Sequence, residues 1–300
     1  MDIILHHYPQ SPVAEKVRTG LGIKKATWRS VEIPRLPPKP DLIPLTGGYR
    51  RTPVMQIGAD IFCDSECILR ALDQRIPEPE LYPNIPIPWD ASGVFNQIFR
   101  LALVFTGDAL PAGFVEDRGR LYLGANWNMA TVSAQIPDVI ATIQARFKAL
   151  DTALSGEHPF LAGPTPIAMD ANAYHLVWFL RGRWADGPAL LSELPHVLAW
   201  EQRMLAINHG AWTDMPAREA LDIARNTEPA MPTWIDENDP LGLKIGQRVA
   251  ITPDGDGGDP EVLGIVHFAD AQTIAILHHD DRVGAVCIHF PRTGYRIRID

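Results

Sequence analysis

The chain has 300 residues, of which 46% are apolar and 21% charged, and its net charge is −9. This composition can fill real cores and predicts two or three domains. The acidic balance argues against nucleic acid or an anionic membrane surface as a partner. A mean hydropathy of −0.05, without a long apolar run, argues against a membrane-spanning helix, so we expect a soluble protein.

The three cysteines are too few for a paired disulfide framework, and the chain starts directly on an apolar segment without a leader. Both features favour a reducing cytoplasm. Cys63 and Cys67 are four residues apart across a predicted strand-to-helix junction, which is neither a redox nor a metal-binding spacing. We therefore interpret these cysteines as packing residues and predict no metal site.

Residues 2–6 read as a buried strand, and Ser11-Pro12 then starts a helix with apolar residues at helical spacing, namely Val13, Val17 and Leu21. Ser11 is the predicted N-cap of that helix. A hydroxyl at a helix N-terminus can donate a hydrogen bond to a nearby thiolate, and the helix dipole adds a favourable field. A thiol with a free pKa of about 8.5 can then ionise near neutral pH, which makes Ser11 a candidate for activating a thiol.

Thr52-Pro53-Val54 opens a second informative segment, in which two short strands flank a turn at 58–60. Pro53 cannot donate to a strand ladder, and a cis bond there would turn the backbone of Val54 towards an extended peptide ligand. Asp64 and Ser65 then stand at the N-terminus of a helix predicted from Glu66 to about Gln74, with Ser65 as its cap. Its free N–H groups suit a carboxylate and Asp64 suits an ammonium, so the pair fits a free amino acid terminus.

Residues 8–18, 51–54 and 64–68 together resemble the amino-terminal domain of the cytosolic glutathione S-transferase superfamily. The resemblance implies a thioredoxin-like domain with glutathione as co-substrate and Ser11 at its sulfur. It also implies that Pro53 is cis, that Val54 pairs with the cysteinyl backbone, and that the pair Asp64 and Ser65 holds the γ-glutamyl end. The Ser-Pro pair is closest to the serine-type classes and differs from the cysteine-type classes, so thiol–disulfide exchange is not expected.

Other residues compete for the sulfur. His6, His7 and Tyr8 end the first strand, near the place where tyrosine-type members carry their hydroxyl, and Tyr8 is expected to contact glutathione. The alternative for His6 is a core histidine, because it continues the apolar strand. Arg50 and Arg51 could reach the second carboxylate of glutathione, or they could be ordinary solvated arginines.

Proline clusters at 34–44 and 77–88 interrupt the pattern. The first stands where the family usually has a short helix, and we expect a stiff extended segment there. The second is interpreted as a linker, which gives a first domain at 1–82. Residues 89–226 then show helical periodicity and predict an all-α domain.

The helical domain resembles the part of the transferases that supplies the second-substrate pocket, here with Phe99, Leu103 and Phe105 as candidate lining residues. Asp170 stands at the acidic position of the family's capping box, but Ile167 occupies the capping position, so half of the box is missing. We expect a structural role for Asp170.

Residues 241–300 alternate like strands and predict a small all-β domain, loosely similar to an SH3-like or tudor-like barrel. This segment has six basic and eight acidic residues, which does not support nucleic-acid binding. The acidic run at 254–259 and the run at 278–281 carry metal-ligand types, but their spacing is that of turns.

The sequence thus predicts an α/β domain, an all-α domain and a small all-β domain. The hypothesis that follows from the resemblance is a serine-type glutathione transferase that attacks a small electrophile and forms a homodimer. A glutathione-dependent isomerase or dehalogenase would use the same thiolate. The alternative is a non-catalytic scaffold whose C-terminal domain recognises a partner.

Overall fold

The computed structural model describes residues 1–86, 88–255 and 257–300. Its amino-terminal part is a mixed sheet with flanking helices: β1 (Ile3–His7), α1 (Pro12–Ile23), β2 (Thr27–Glu32), α2 (Ile43–Thr46), β3 (Val54–Ile57), β4 (Asp60–Cys63) and α3 (Ser65–Arg75). Strand β1 pairs in parallel with β2 and antiparallel with β3, and β3 pairs antiparallel with β4. The predicted thioredoxin-like domain is confirmed. The short α2 begins at the end of the proline segment at 34–44, so the expectation that an extended segment replaces the family's short helix is wrong there.

The middle of the chain is helical, as predicted: α4 (Val94–Thr106), α5 (Phe114–Leu123), α6 (Met129–Ala134), α7 (Ile136–Ala153), α8 (Ala168–Arg183), α9 (Gly187–Ser192) and α10 (Pro195–Ile207). Helix α8 packs against both α1 and α4, which joins the helical part to the first sheet. Within the described residues, the structure contains no helix that is both long and apolar enough to cross a bilayer.

The helical prediction extended to residue 226, and it is wrong at 211–214. Strand β5 (Ala211–Asp214) pairs in parallel with β2, and α11 (Ala217–Arg225) follows it. Ala220, Leu221 and Ala224 of α11 are buried against the sheet core and not against the helical bundle. The β5 side chains are all exposed, so this edge strand carries no alternating apolar pattern that a sequence could show.

The remaining strands are β6 (Trp234–Ile235), β7 (Arg248–Pro253), β8 (Val262–Ala269), β9 (Thr273–Asp280), β10 (Gly284–Pro291) and β11 (Tyr295–Ile299). Strands β7 to β10 form an antiparallel meander, and β11 returns to pair with β7. The strand-rich C-terminal region is therefore confirmed, while its description as an SH3-like barrel stays a prediction. The turn predicted at 278–281 is wrong for 278–280, which belong to β9. The turn follows at 281–283, where the Asp280 carboxylate accepts a hydrogen bond from the Arg282 N–H.

The C-terminal strands continue the amino-terminal sheet. Strand β10 pairs in parallel with β4, with Ile288 opposite Ile61, so that one sheet runs from β5 to β11. The division into domains at 1–82, 89–226 and 241–300 thus stays a prediction, and the last segment shares its sheet with the first.

The amino-terminal sheet is buried on both faces by different parts of the chain. Successive residues of a strand point to opposite faces. Leu5 belongs to the core formed with α1, α3 and the helical domain, whereas its neighbour Ile4 packs in the core formed with the C-terminal strands. The segment after the helical domain therefore covers a sheet face and an edge that would otherwise meet water.

Candidate active site

A cleft lies between the first sheet and the helical domain. Tyr8 and Ser11 line one side of it, and α4, α5 and α8 supply an aromatic wall: Phe95, Phe99, Phe114, Tyr122 and Phe179. Phe99 and Leu103 line the cleft as expected. Phe105 does not belong to the lining and is 53% exposed.

Ser11 is the N-cap of α1, as predicted, and Pro12 is the first helical residue. The Ser11 Oγ accepts a hydrogen bond of 3.1 Å from the Ala14 N–H. Because a hydroxyl can accept and donate at once, its proton remains available for a group in the cleft. The side chain is buried, so a donor held here would not need to reorganise during a reaction.

The two histidines of β1 are engaged elsewhere. His6 Nε2 is 2.9 Å from the Gln56 Oε1, and His7 contacts both Ser30 Oγ (3.2 Å) and Arg18 Nη1 (2.9 Å). Burial lowers the pKa of His6 to about 4 and that of His7 to about 3, so both rings are neutral at pH 7. Neither lines the cleft, whereas Tyr8 does. Tyr8 is thus the alternative to Ser11 that geometry supports.

The Thr52–Pro53 bond is cis. Val54, however, lies opposite His6 in β1 and opposite Cys63 in β4. Because both backbone groups of an antiparallel residue point to one neighbouring strand, the N–H and C=O of Val54 are used within the sheet. These are the backbone groups expected to pair with the cysteinyl backbone of glutathione, and that pairing stays a prediction. Thr52 precedes the strand, and its hydroxyl accepts a 2.8 Å hydrogen bond from the Lys39 Nζ.

Asp64 is the N-cap of α3, and Ser65, which was predicted to be the cap, is the first helical residue. Asp64 has a positive φ of 80°, and its Oδ1 accepts a hydrogen bond from the Glu66 N–H at 2.9 Å. Its second oxygen is also in use, because the Tyr295 hydroxyl of β11 donates to Oδ2 at 3.3 Å. The same hydroxyl lies 3.2 Å from that of Tyr49. The carboxylate expected to hold an ammonium is therefore in contact with the C-terminal strands.

Arg51 is not a free surface arginine. Its Nη2 forms a 2.7 Å ion pair with Asp259, and Arg50 Nε lies 3.5 Å from the other oxygen of that carboxylate. Arg50 also pairs with Asp117 of α5 at 2.6 Å. Asp259 belongs to the acidic run at 254–259, whose residue Asp256 lies outside the described residues. Asp259 therefore forms an ion pair with Arg51, far away in the sequence, in addition to standing in the turn that the sequence predicts.

The structure thus divides the predicted site residues into two groups. Tyr8 and Ser11 meet in the cleft. Arg51 and Asp64 contact residues of the C-terminal region, and Pro53, Val54 and Ser65 do not line the cleft. Their assignment to glutathione stays a prediction.

Sequence reasoning missed the basic side chains around the cleft. Arg35, Arg118 and Arg183 line it, and Lys39 is buried close by. Burial, with the charges of Arg118 and Arg50, lowers the pKa of Lys39 to about 7. Arg35 and Lys39 lie in the proline-rich segment, which the sequence analysis interpreted only as a stiff extended segment. Arg183 ends α8, about 170 residues from Ser11, and no sequence spacing links the two.

A further cluster joins the first sheet to the C-terminal strands. Asp60, Cys287 and His289 are buried together, with ligand-type atoms within 4.8 Å of one another. The Asp60 carboxylate already accepts from Ala230 N–H (2.7 Å) and contacts His289 Nε2 (2.8 Å). Burial raises the pKa of the Cys287 thiol, which disfavours the thiolate a metal would need. The hydrogen bond between Asp60 and His289 thus joins β4 to β10.

Asp170 has the structural role expected of it. The carboxylate is fully buried in α8 and accepts from the N–H groups of Leu161 and Ile167, both at 3.0 Å, and from the Trp200 indole at 2.8 Å. The Ile167 contact is the half of the capping box that does not need a capping hydroxyl.

Comparison with known proteins agrees with this architecture. The glutathione S-transferase N-terminal domain family matches residues 5–80. A solved GST-like protein from Pseudomonas syringae is 34% identical, with a TM-score of 0.74, and the match covers 99% of this chain and 100% of that one. The chain belongs to the glutathione S-transferase superfamily. The match to the GST-like protein includes the C-terminal strands, so the two proteins are similar over nearly their full lengths.

Two other solved members of the superfamily are more distant. A glutathione S-transferase from Legionella pneumophila is 20% identical over 68% of this chain and 94% of its own, with a TM-score of 0.43. A bacterial zeta-class maleyl pyruvate isomerase is 19% identical over 69% of this chain and 97% of its own, with a TM-score of 0.46. No curated protein sequence matches.

Proposed function

We propose that the protein is a glutathione transferase in which the Ser11 hydroxyl stabilises the glutathione thiolate for attack on a small electrophile. Members of the superfamily are generally glutathione-dependent transferases or isomerases. The observation that carries the proposal is the Ser11 Oγ, which is occupied as an acceptor by Ala14 N–H but free to donate into the cleft. An isomerase or dehalogenase acting through the same thiolate falls within this proposal.

The reaction needs the sulfur to be ionised. A donor at the start of α1, together with the positive end of the helix, favours the thiolate over the thiol. The thiolate sulfur then bonds to the electrophilic carbon. In a substitution the leaving group departs with the electron pair of its bond, and the thiol proton passes to solvent. A homodimer in the cytoplasm is part of the proposal, as the superfamily resemblance implies.

The test is the ultraviolet absorbance of bound glutathione thiolate against pH, measured for the parent protein, Ser11→Ala and Ser11→Asp. Aspartate keeps the helix cap but, when ionised, has no proton to donate. Both variants are expected to lose the thiolate signal at neutral pH and at least about 10²-fold in turnover. Only Ser11→Ala is expected to lose cap stability, of about 1 kcal/mol.

Ser133→Ala makes the same chemical change at an exposed position and serves as the control. Retention of the signal in both Ser11 variants, with its loss in Tyr8→Phe, would transfer the role to Tyr8. Glutathione that does not bind to the parent protein at all would contradict the proposal.

The second candidate is a non-catalytic scaffold. The observation that favours it is the occupation of Arg51 by Asp259 and of Asp64 by Tyr295, which uses two groups expected to bind glutathione. Under this candidate, the parent protein shows no thiolate signal at any glutathione concentration that saturates transferases of this kind.

A further inference from the structure

The described lining of the cleft carries a net positive charge. Three guanidinium groups line it, those of Arg35, Arg118 and Arg183, and none of its described lining residues is acidic. Arg118 has a partner, since it forms an ion pair with Asp117. Among the ion pairs of the described side chains, which do not include that of Asp108, none involves Arg35 or Arg183.

Arg35 is held by aromatic rings. Its Cζ lies 4.8 Å from the ring centre of Phe114 and 5.8 Å from that of Tyr8. Its Nε is buried, and no described group of the protein hydrogen-bonds to it. A buried, charged donor without a partner is unfavourable, so a ligand that accepted its hydrogen bond would be stabilised.

Arg183 ends α8 and faces the same cleft. One of its nitrogens donates to the Gln10 carbonyl at 3.3 Å, and its Cζ lies 5.7 Å from the Trp178 ring centre. Burial and the positive charge of Arg35 lower the pKa of Arg183. Two guanidinium groups that repel one another across a partly apolar space favour the binding of an anion between them.

The rest of the cleft is apolar. Phe95 and Phe99 of α4 stack with parallel rings at 6.5 Å, and Tyr122 packs against both of them. A flat ligand can lie against such a wall, while its charged end reaches the arginines and its reactive carbon faces Ser11.

We propose that the electrophile is an aromatic anion, whose carboxylate or equivalent acidic group is bound between Arg35 and Arg183 while its ring lies on the phenylalanine wall. This inference rests on the proposed function and names the substrate class of that site. Glutathione carries carboxylates too. We assign the anion to the electrophile because both arginines share the cleft with the aromatic wall, whereas Arg51 and Asp64 contact the C-terminal region.

The first experiment measures binding without any glutathione chemistry. The probe is 8-anilinonaphthalene-1-sulfonate, followed by its fluorescence, and N-phenyl-1-naphthylamine is the matched neutral compound with the same rings. We expect Arg183→Met and Arg35→Met each to weaken binding of the sulfonate about tenfold, as expected for loss of a charge-assisted hydrogen bond. Binding of the neutral amine should stay within about twofold. Arg225→Met, at an exposed position of α11, is the control. Equal effects on both probes would overturn the proposal.

The second experiment assigns the anion to its source. Glutathione is reacted with 4-chloro-3-nitrobenzoate or with 4-chloro-3-nitrobenzamide, where the carbon–sulfur bond forms as chloride leaves. Arg183→Met is expected to raise KM for the benzoate about tenfold, with KM for the amide and for glutathione unchanged. A raised KM for glutathione with both electrophiles would assign the arginines to glutathione and overturn the proposal. Selective sulfonate binding in a protein without turnover would support the anion site and contradict the proposed function.

Discussion

Asp259 and Arg51 form an ion pair of 2.7 Å between the loop that follows β7 and the segment before the cis proline. Asp259 is almost fully buried, and its other oxygen faces Arg50. The same loop touches the helical domain, because a Cβ on Gly257 would lie 3.0 Å from the Leu121 carbonyl oxygen. The C-terminal region thus supplies a carboxylate to Arg51, the arginine that the sequence analysis considered for a carboxylate of the ligand.

The pairing of Asp259 predicts competition with glutathione. In Asp259→Asn the carboxylate no longer competes for Arg51, and we expect KM for glutathione to fall about fivefold, which corresponds to about 1 kcal/mol for an ion pair of this kind. Asp254→Asn, in the same loop but exposed, is the control. Steady-state kinetics with glutathione as the varied substrate measure the effect. A KM that rises in Asp259→Asn would show that the aspartate supports Arg51 and does not compete.

The shared sheet predicts that the C-terminal strands cannot be removed. Ile288 of β10 is fully buried opposite Ile61 of β4, so a chain ending at residue 240 would expose a sheet edge and an apolar face. We expect that shortened chain to aggregate, and Ile288→Ala to lower the free energy of unfolding by about 2–5 kcal/mol.

Leu263→Ala is the matched control, because this residue is 45% exposed on β8 and should cost much less. Urea unfolding of the two variants and size-exclusion chromatography of the shortened chain make the comparison. A folded, monodisperse chain of residues 1–240 would contradict the shared core.

Buried histidines predict how stability depends on pH. Chiefly through burial, the pKa of His6 is lowered from 6.5 to about 4, and the pKa values of His7 and His175 are lowered to about 3. Their contribution to stability is complete above pH 6.5, where both states are neutral. It declines as the pH falls from 6.5 towards 4, because the unfolded chain binds protons that the folded chain does not. Each histidine should contribute a slope of up to about 1.4 kcal/mol per pH unit.

Urea unfolding between pH 7.5 and pH 5 measures that slope. His175→Phe should reduce the slope by the contribution of about one bound proton, which is up to about 1.4 kcal/mol per pH unit. The phenyl ring fills a similar volume and does not titrate. His158→Gln, at an exposed position, controls for loss of an imidazole as such. An unchanged slope in His175→Phe would show that His175 also binds a proton in the folded state over this range.

The amino-acid sequence by itself determined the local parts of this protein. Ser11 as the cap of α1 and the β3–β4 hairpin follow from groups that bond to their own or adjacent backbone. The start of α3 was predicted to within one residue, with Ser65 as the cap where the structure has Asp64. The helical periodicity of α4, α7 and α8 was visible for the same reason, because each repeat lies within one segment.

Only the tertiary structure decided which distant residues meet. Four contacts join positions more than 180 residues apart. Strand β10 pairs with β4, the exposed edge strand β5 pairs with β2, Asp259 contacts Arg51, and Tyr295 contacts Asp64. It also decided that the backbone of Val54 belongs to the sheet, since this depends on strands on both sides. The arginines of the cleft come from the proline segment, α5 and α8. No local spacing records contacts of this kind, because they depend on how separately formed elements pack.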